Sequence, residues 1–515
     1  MKNRIMILGA LMLTLGITSC HKDSDVVLNY AYNDEMAFNK AKDSYAEKFK
    51  VFWHGMNSTY SLWDYEKECG LDWDEYYNVM LPKFEKLDEL GGVSDEDLEE
   101  LMEEMVAPLH DGHLSVEFYN HKTGSFVRAE PSMLRNMSRP DFALMSFTPN
   151  LKPYVNNTKY KLKDWKETNT YASAQLYYVM NTPGIGYQWA VAKQKELSSK
   201  ENPTEMEATT LAYLNSFIKN MAILQIEGVS DKSIQMYNNL VAMYSFLNIP
   251  FLEPINPELV EGGIDIKYAL FEDNIAYLYI SDFSLTTYLN DLYFEKYFSG
   301  SKHDTEVATR VKDVYNAWFG AIQRLHKQKQ LKGVVIDLRS NGGGIVYDSN
   351  YVLGSLAPQG GIQYGYARYK RGAGRYDYSP FMPQSASTMA DEHEIIDDVP
   401  ITILINCWSV SMSETTSLCA KQLPNARLIG TRSWGGLCAL TGQEEFTVNY
   451  TGHIGVKRQT PVYVYLPMVA IHDMNKKVLE GYGVEPDIEV SLDAKHLDEY
   501  DTQLERALDY IRTGN

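Results

Sequence analysis

The sequence predicts an α/β protein, and three observations carry that prediction. Leu331–Leu338, Ile401–Ile405 and Ala426–Ile429 are short, nearly continuous apolar runs, the pattern of strands buried on both faces of a parallel sheet. Helical stripes lie among them; the clearest runs through Val307, Val311, Val314, Trp318, Ile322 and Leu325 from Thr305 onward. A polar, glycine-rich turn, Ser340-Asn341-Gly342-Gly343-Gly344, follows the first of these strands. Buried strands alternating with amphipathic helices imply helices layered on a largely parallel sheet.

The elements before that sheet follow in chain order. Lys2 and Arg4 precede an apolar run from Ile5 to Ile17, too short to span a bilayer, which marks residues 1–19 as a secretory signal. Its ending, Ile17-Thr18-Ser19-Cys20, resembles a bacterial lipobox, which implies cleavage before Cys20 and acylation of that cysteine. No later stretch is apolar for long enough to cross a membrane, so the expected protein is anchored by lipid in the cell envelope. It would sit on the outer or inner membrane, facing periplasm or exterior.

Residues 20–118 are expected to form a helical N-terminal region behind a polar tether at 21–30. Ser94 ahead of Asp95, Glu96 and Asp97 marks a helix start, and Leu98, Leu101, Met102 and Met105 make its apolar stripe. Ten acids between Leu81 and His110 give that helix and its neighbour a solvated face. Pro108 and Asp111-Gly112 stop the pattern, and Leu114, Val116 and Phe118 alternate as a strand. Residues 119–265, Tyr-rich with Asn/Pro turns and a helix expected around Glu205–Leu224, are expected to be a mixed α/β insert. The main domain occupies 266–515 and opens on the β-rich run Ile275–Ile280.

Charge and cysteine content narrow the function classes. Lys plus Arg number 48 against 68 Asp plus Glu, a net charge of −20, which argues against a nucleic-acid backbone as the main partner. Cys69, Cys407, Cys419 and Cys438 are too few for a disulfide framework in so large a chain and are expected to be free and buried.

Four segments carry chemistry. Val334–Leu338 is a strand running into Arg339-Ser340-Asn341-Gly342-Gly343-Gly344, whose glycines let backbone N–H groups approach a ligand closely. Without a following Gly-Lys-Ser/Thr it does not suit phosphate, and an anion hole for a reaction intermediate fits better than a purely structural turn. Ile405-Asn406-Cys407-Trp408-Ser409-Val410-Ser411-Met412-Ser413-Glu414 runs from strand end into a helix. A serine there has free N–H groups and the positive dipole end beside it, although Ser409, Ser411 and Ser413 could each equally be a helix cap. Leu109-His110-Asp111-Gly112-His113-Leu114 offers two histidines three apart. With no third ligand at fitting spacing they suit a general base better than a metal, and no metal is expected. Leu479-Glu480-Gly481-Tyr482-Gly483-Val484-Glu485-Pro486-Asp487 is turn-rich and carries an acid able to orient a histidine.

In order and spacing these segments resemble the tail-specific, or C-terminal processing, serine peptidase family, and within it the tricorn-core branch, over roughly 85–120 and 270–495. The resemblance implies a crotonase-like ββα spiral for the catalytic domain, a peptide or protein substrate, and no cofactor. It places the nucleophile on Ser411, three before Glu414, and the oxyanion donors on Met412 and the Gly342, Gly343 and Gly344 turn, chiefly Gly343. Ser-Lys members carry their lysine where this chain has Gly436, in Thr431-Arg432-Ser433-Trp434-Gly435-Gly436. The tricorn-like Trp-Gly-Gly form implies a histidine base instead, at His113, with Glu480 supporting it; Gly112 stands where that branch has a serine. Lys421, about 15 Å along the same helix, and Lys457 are poor substitutes. Residues 119–265 show no Gly-Asp-rich pattern of a PDZ module. The alternative function is a non-catalytic peptide- or lipid-binding protein on the same fold, like the family's retinoid-binding relatives.

Overall fold

The computed structural model of the chain describes residues 31–142, 147–171, 187–218, 260–289, 302–439 and 452–514, short interruptions aside. The signal segment, Cys20 and most of the expected helix around Glu205–Leu224 lie outside the described residues. Those described fall into two compact units. The first is drawn from Met1–Leu134, Gly365–Gln384 and Gly436–Gly481, the second from Arg135–Tyr364, Ser385–Gly435 and Tyr482–Asn515.

The first unit contains the helices Glu35–Ala41, Tyr45–Thr59, Trp63–Glu68, Trp73–Glu89 and Asp95–Val106. Ser94 caps the last of them, its hydroxyl accepting the Asp97 N–H at 3.1 Å, and Leu98, Met102 and Met105 are buried as their spacing predicts. These helices share one core with a five-stranded sheet ordered Ala31–Tyr32, Gly452–Ile454, Val462–Leu466, Ser115–Asn120, Ser125–Ala129. Phe49, Phe52, Trp63, Val116, Phe118 and Val464 meet in that core. Tyr366–Tyr369 and Val469–His472 pair antiparallel elsewhere in the unit.

The second unit is built on a seven-stranded sheet ordered Ile488–Glu489, Ala426–Gly430, Ile401–Ile405, Gly333–Asp337, Ile275–Ile280, Ile266–Phe271, Leu162–Glu167. The first five are parallel, each pairing with the next; each of the last two pairs antiparallel with the strand before it. Gly333–Asp337 and Ile401–Ile405 are buried at every residue, as their nearly continuous apolar composition requires. Helix Thr502–Thr513 supplies Leu504, Ala507, Leu508 and Ile511 to a core with Tyr277, Val335, Leu404 and Ile429. Helix Lys302–Lys327 packs on Ile266–Phe271 and Ile275–Ile280, burying Val311, Trp318 and Ile322. The mixed α/β class and the helical N-terminal region expected from the sequence are both present. Leu162–Glu167, in the stretch read as an insert, joins the main sheet.

Among the described residues no helix is long and apolar enough to cross a membrane. Cys407, Cys419 and Cys438 are free and buried as expected, whereas Cys69 is free but exposed.

Candidate active site

Register sets the first half of the site. Leu404 pairs with Asp337, and Ile405 with Gly430, so these parallel strands end level and release their connecting loops side by side. Arg339 locks one of these ends. Wholly buried, it meets Asp337 at 2.5 Å and Asp501 at 2.8 Å, tying the strand to the cap of helix Thr502–Thr513.

Burial separates the three serines of the segment from Asn406 to Glu414. Ser409 is buried, its hydroxyl donating to the Leu338 carbonyl at 2.7 Å and accepting the Asn406 N–H at 3.0 Å. Ser413 is buried against Asn341, 2.8 Å from its carbonyl and 2.7 Å from Oδ1. Ser411 alone of the three is part-exposed, at the N-cap of helix Met412–Ala420. Its φ of +57° and ψ of −111° cost a non-glycine residue about 1–3 kcal/mol, so the surroundings must hold it there.

Three residues whose roles sequence reasoning missed do that holding. The Glu414 carboxylate is buried and accepts the Ser411 N–H at 3.1 Å, the Ser433 hydroxyl at 2.6 Å and the Gly435 N–H at 2.7 Å. Asn341 accepts the Val410 N–H at its carbonyl and donates to the Ile280 carbonyl, both at 2.9 Å. Asn406 Oδ1 accepts the Ser340 N–H at 2.9 Å and the Trp408 N–H at 3.0 Å. Only the helix-start position of Glu414 was a signal for any of these. Glu414→Gln sets amide N–H against backbone N–H. It is expected to lower kcat roughly tenfold or more, beyond any loss of folded protein, with the fluorophosphonate labelling rate of Ser411 falling in step.

The glycine turn lies directly against Ser411. Gly343 has φ +93°, and a Cβ there would stand 2.6 Å from Ser411 Cβ, 2.8 Å from the Val410 carbonyl and 2.9 Å from the Met412 nitrogen. Gly344, at φ +141°, pairs with Phe283, which receives the Ile345 N–H and donates to the Gly343 carbonyl. Gly342 is exposed and has open space where a Cβ would be. The Met412 N–H opens the helix, a position with no acceptor within the helix. The Gly343 N–H, however, donates to Asn341 Oδ1 at 2.9 Å.

In the first unit His113, Asp111 and Glu480 converge, their polar atoms lying within 4.8 Å of one another. Three successive amides fix the histidine loop: Gly112 N–H donates to Glu480 Oε1 at 2.7 Å, His113 and Leu114 N–H to Asp111 Oδ1 at 2.7 and 2.8 Å. The other Glu480 oxygen accepts the Leu437 and Cys438 N–H groups at 2.6 and 2.7 Å. Gly481, at φ +72°, allows this approach, because a Cβ would stand 2.3 Å from the His110 carbonyl. His113 is nearly buried, with Nδ1 3.7 Å from Glu480 Oε1; that is long for a hydrogen bond, so the carboxylate acts on it through charge. His110 has a separate partner, with Nδ1 2.8 Å from Glu66. The two histidines therefore face different carboxylates. Glu480 oxygens committed to amide donors form the surroundings of a histidine-orienting anion more than those of a cation.

Burial, with Glu480 beside it, pushes the Asp111 carboxyl up to about 8. Against about 3.9 in the unfolded chain, the folded state favours the protonated form, so stability is fully present below about 4 and declines as pH rises to about 8. Asp111→Asn keeps the acceptor and cannot ionise. Its thermal midpoint is expected to gain on the parent between pH 5 and pH 8.5, measured by calorimetry; a constant difference would contradict this.

Of the two lysines considered from sequence, Lys421, at the far end of helix Met412–Ala420, is paired with Asp487 at 2.8 Å, and Lys457 is exposed.

Adjacent ends of the parallel sheet thus set a strained serine and a glycine turn side by side. Residues 274–490 match the profile of peptidase family S41. A carboxy-terminal-processing protease of Bartonella bacilliformis is 27% identical over 240 residues, 46% of this chain and 44% of its own. The chain thus spans less than half of that curated relative. Among solved structures, a candidate peptidase of Parabacteroides merdae aligns at 17% identity with TM-score 0.48, covering 92% of this chain and 98% of that one. Mature CPAF complexed with lactacystin aligns at 10% identity and TM-score 0.45, with the same two coverages.

Proposed function

We propose that the chain is an exported, lipid-anchored serine endopeptidase. Ser411 attacks the scissile carbonyl, His113 takes the hydroxyl proton through Nε2, and Glu480 holds the imidazole and stabilises its cation. The Met412 N–H and the Gly343 N–H receive the oxyanion, the latter exchanging Asn341 Oδ1 for the substrate oxygen. Chemistry requires Ser411 Oγ and His113 Nε2 to reach hydrogen-bond distance with a peptide bound. The observation that carries the reading is Ser411 itself, the one part-exposed serine of its segment, in a strained conformation at a helix start. A fluorophosphonate probe is expected to modify the protein at Ser411, mapped by mass spectrometry. Labelling elsewhere or not at all would refute it.

One observation favours the second reading, a binding protein that retains the fold without hydrolysis: the Gly343 N–H is taken by Asn341. Labelling of Ser411 without cleavage of any member of a peptide library would select that reading. The anchor is a separate proposal resting on Ile17-Thr18-Ser19-Cys20. Cys20→Ala should move the protein from the membrane fraction to the soluble one; unchanged fractionation would overturn it.

A further inference from the structure

The unit that carries His113 and Glu480 also holds a cavity of about 210 Å³. Its wall includes the part-exposed ring of Phe381, with two cations set against it: the Arg368 guanidinium carbon lies 5.0 Å from the ring centroid and Lys476 Nζ 4.9 Å. Arg368 is fixed by a second ring, Tyr378, at 4.5 Å and by Asp64, which accepts from Nη1 at 2.6 Å. That leaves most of its fork of donors uncommitted to Asp64. Lys476 lies 5.5 Å from the Tyr366 centroid, in a turn whose amides Asn475 and Lys477 both donate to Asp473 Oδ1 at 2.8 Å. Aromatic faces thus place both cations, with Asp64 pairing only one of them. In a chain of net charge −20, two cations held this way at a cavity point to an anionic occupant.

The rest of the wall says which anion. Asp64 and Glu68 also line the cavity, against three cations, Arg368, Lys476 and Lys477, so the wall carries about one net positive charge, which matches a single carboxylate better than a phosphate dianion. Leu62, Val478 and the Phe381 face suit an aliphatic stem carrying one charge. His472 adds none, since burial lowers its pKa and its Nδ1 faces the Ala470 carbonyl at 3.2 Å. Tyr65 lines the cavity too, and its hydroxyl donates to the Glu480 carbonyl at 3.0 Å, so an occupant would touch a side chain that braces the orienting acid.

We propose that this cavity is an anchoring site for a single peptide carboxylate, held by Arg368 and Lys476 over Phe381. That the occupant is a peptide rests on the peptidase reading above. The carboxylate can come from a chain terminus or from an acidic side chain, and the experiment separates them. Full-length protein bearing Ser411→Ala, which does not consume ligand, is titrated by fluorescence anisotropy with three labelled peptides of one neutral core. The first is amidated with a single Glu, the second has a free C-terminal carboxylate and no acid, the third is amidated and neutral. At least one of the first two is expected to bind roughly fivefold or more tightly than the third, and which one does identifies the source. Lys476→Met and Arg368→Gln should each shrink that difference and leave the neutral peptide unchanged. Lys476 is exposed, so its variant keeps the test sound even if loss of the stacked Arg368 impairs folding. Equal binding of all three peptides, binding of none, or an undiminished preference in folded Lys476→Met protein would each overturn the proposal. Because the readout is binding, its failure leaves Ser411 chemistry standing, and failure of the labelling experiment leaves this one intact.

Discussion

His113→Ala is expected to abolish peptide turnover as completely as Ser411→Ala, each by roughly a thousandfold or more, because nucleophile and base act as a unit and their losses are not additive. The double variant should be no worse than either single one. Lys421→Ala and Lys457→Ala should each retain most activity. Lys421 is committed to Asp487 about 15 Å along the helix from Ser411, and Lys457 is exposed to solvent. The rate of the parent should fall at acid pH, where a histidine base is protonated and cannot accept the Ser411 proton. An active His113→Ala variant beside a dead lysine variant would transfer the base to that lysine.

Gly343→Val is expected to lower turnover on the order of a hundredfold or more, with a smaller effect on folding. The geometry makes this a direct effect. Any Cβ at that position presses on Ser411 Cβ and the Met412 nitrogen, and the φ of +93° is one that a β-branched residue resists. Both the nucleophile and its neighbouring donor would shift together. Gly342→Ala is the control, since the same turn has open space there, and activity should stay within about twofold. Steady-state rates and fluorophosphonate labelling of both variants, with circular dichroism for folding, check the contrast. Equal losses at the two positions would mean that the turn is sensitive as a whole and that contact with Ser411 is not the cause.

Much of the architecture was legible because its causes are local. The buried strands Gly333–Asp337 and Ile401–Ile405, the helix starting after Ser94 and the stripe through Val311 and Trp318 follow from patterns read within a few residues. The triple glycine likewise marked the turn that the structure sets against Ser411. Spacing alone left Ser409, Ser411 and Ser413 equal as possible caps. Burial of the first and third against Leu338 and Asn341 is what separates them.

The sequence by itself determined the elements, the fold class and the residue types at the candidate site, because periodicity, capping and glycine turns act over one or two turns of chain. Tertiary structure decided which groups hold those residues in place. Gly112 donates to Glu480 across 368 positions, and Glu414 reaches Gly435 across 21. His110 finds Glu66 while His113 finds Glu480. No local pattern encodes such pairs, since they arise when strand register and core packing bring remote backbone amides to one buried carboxylate.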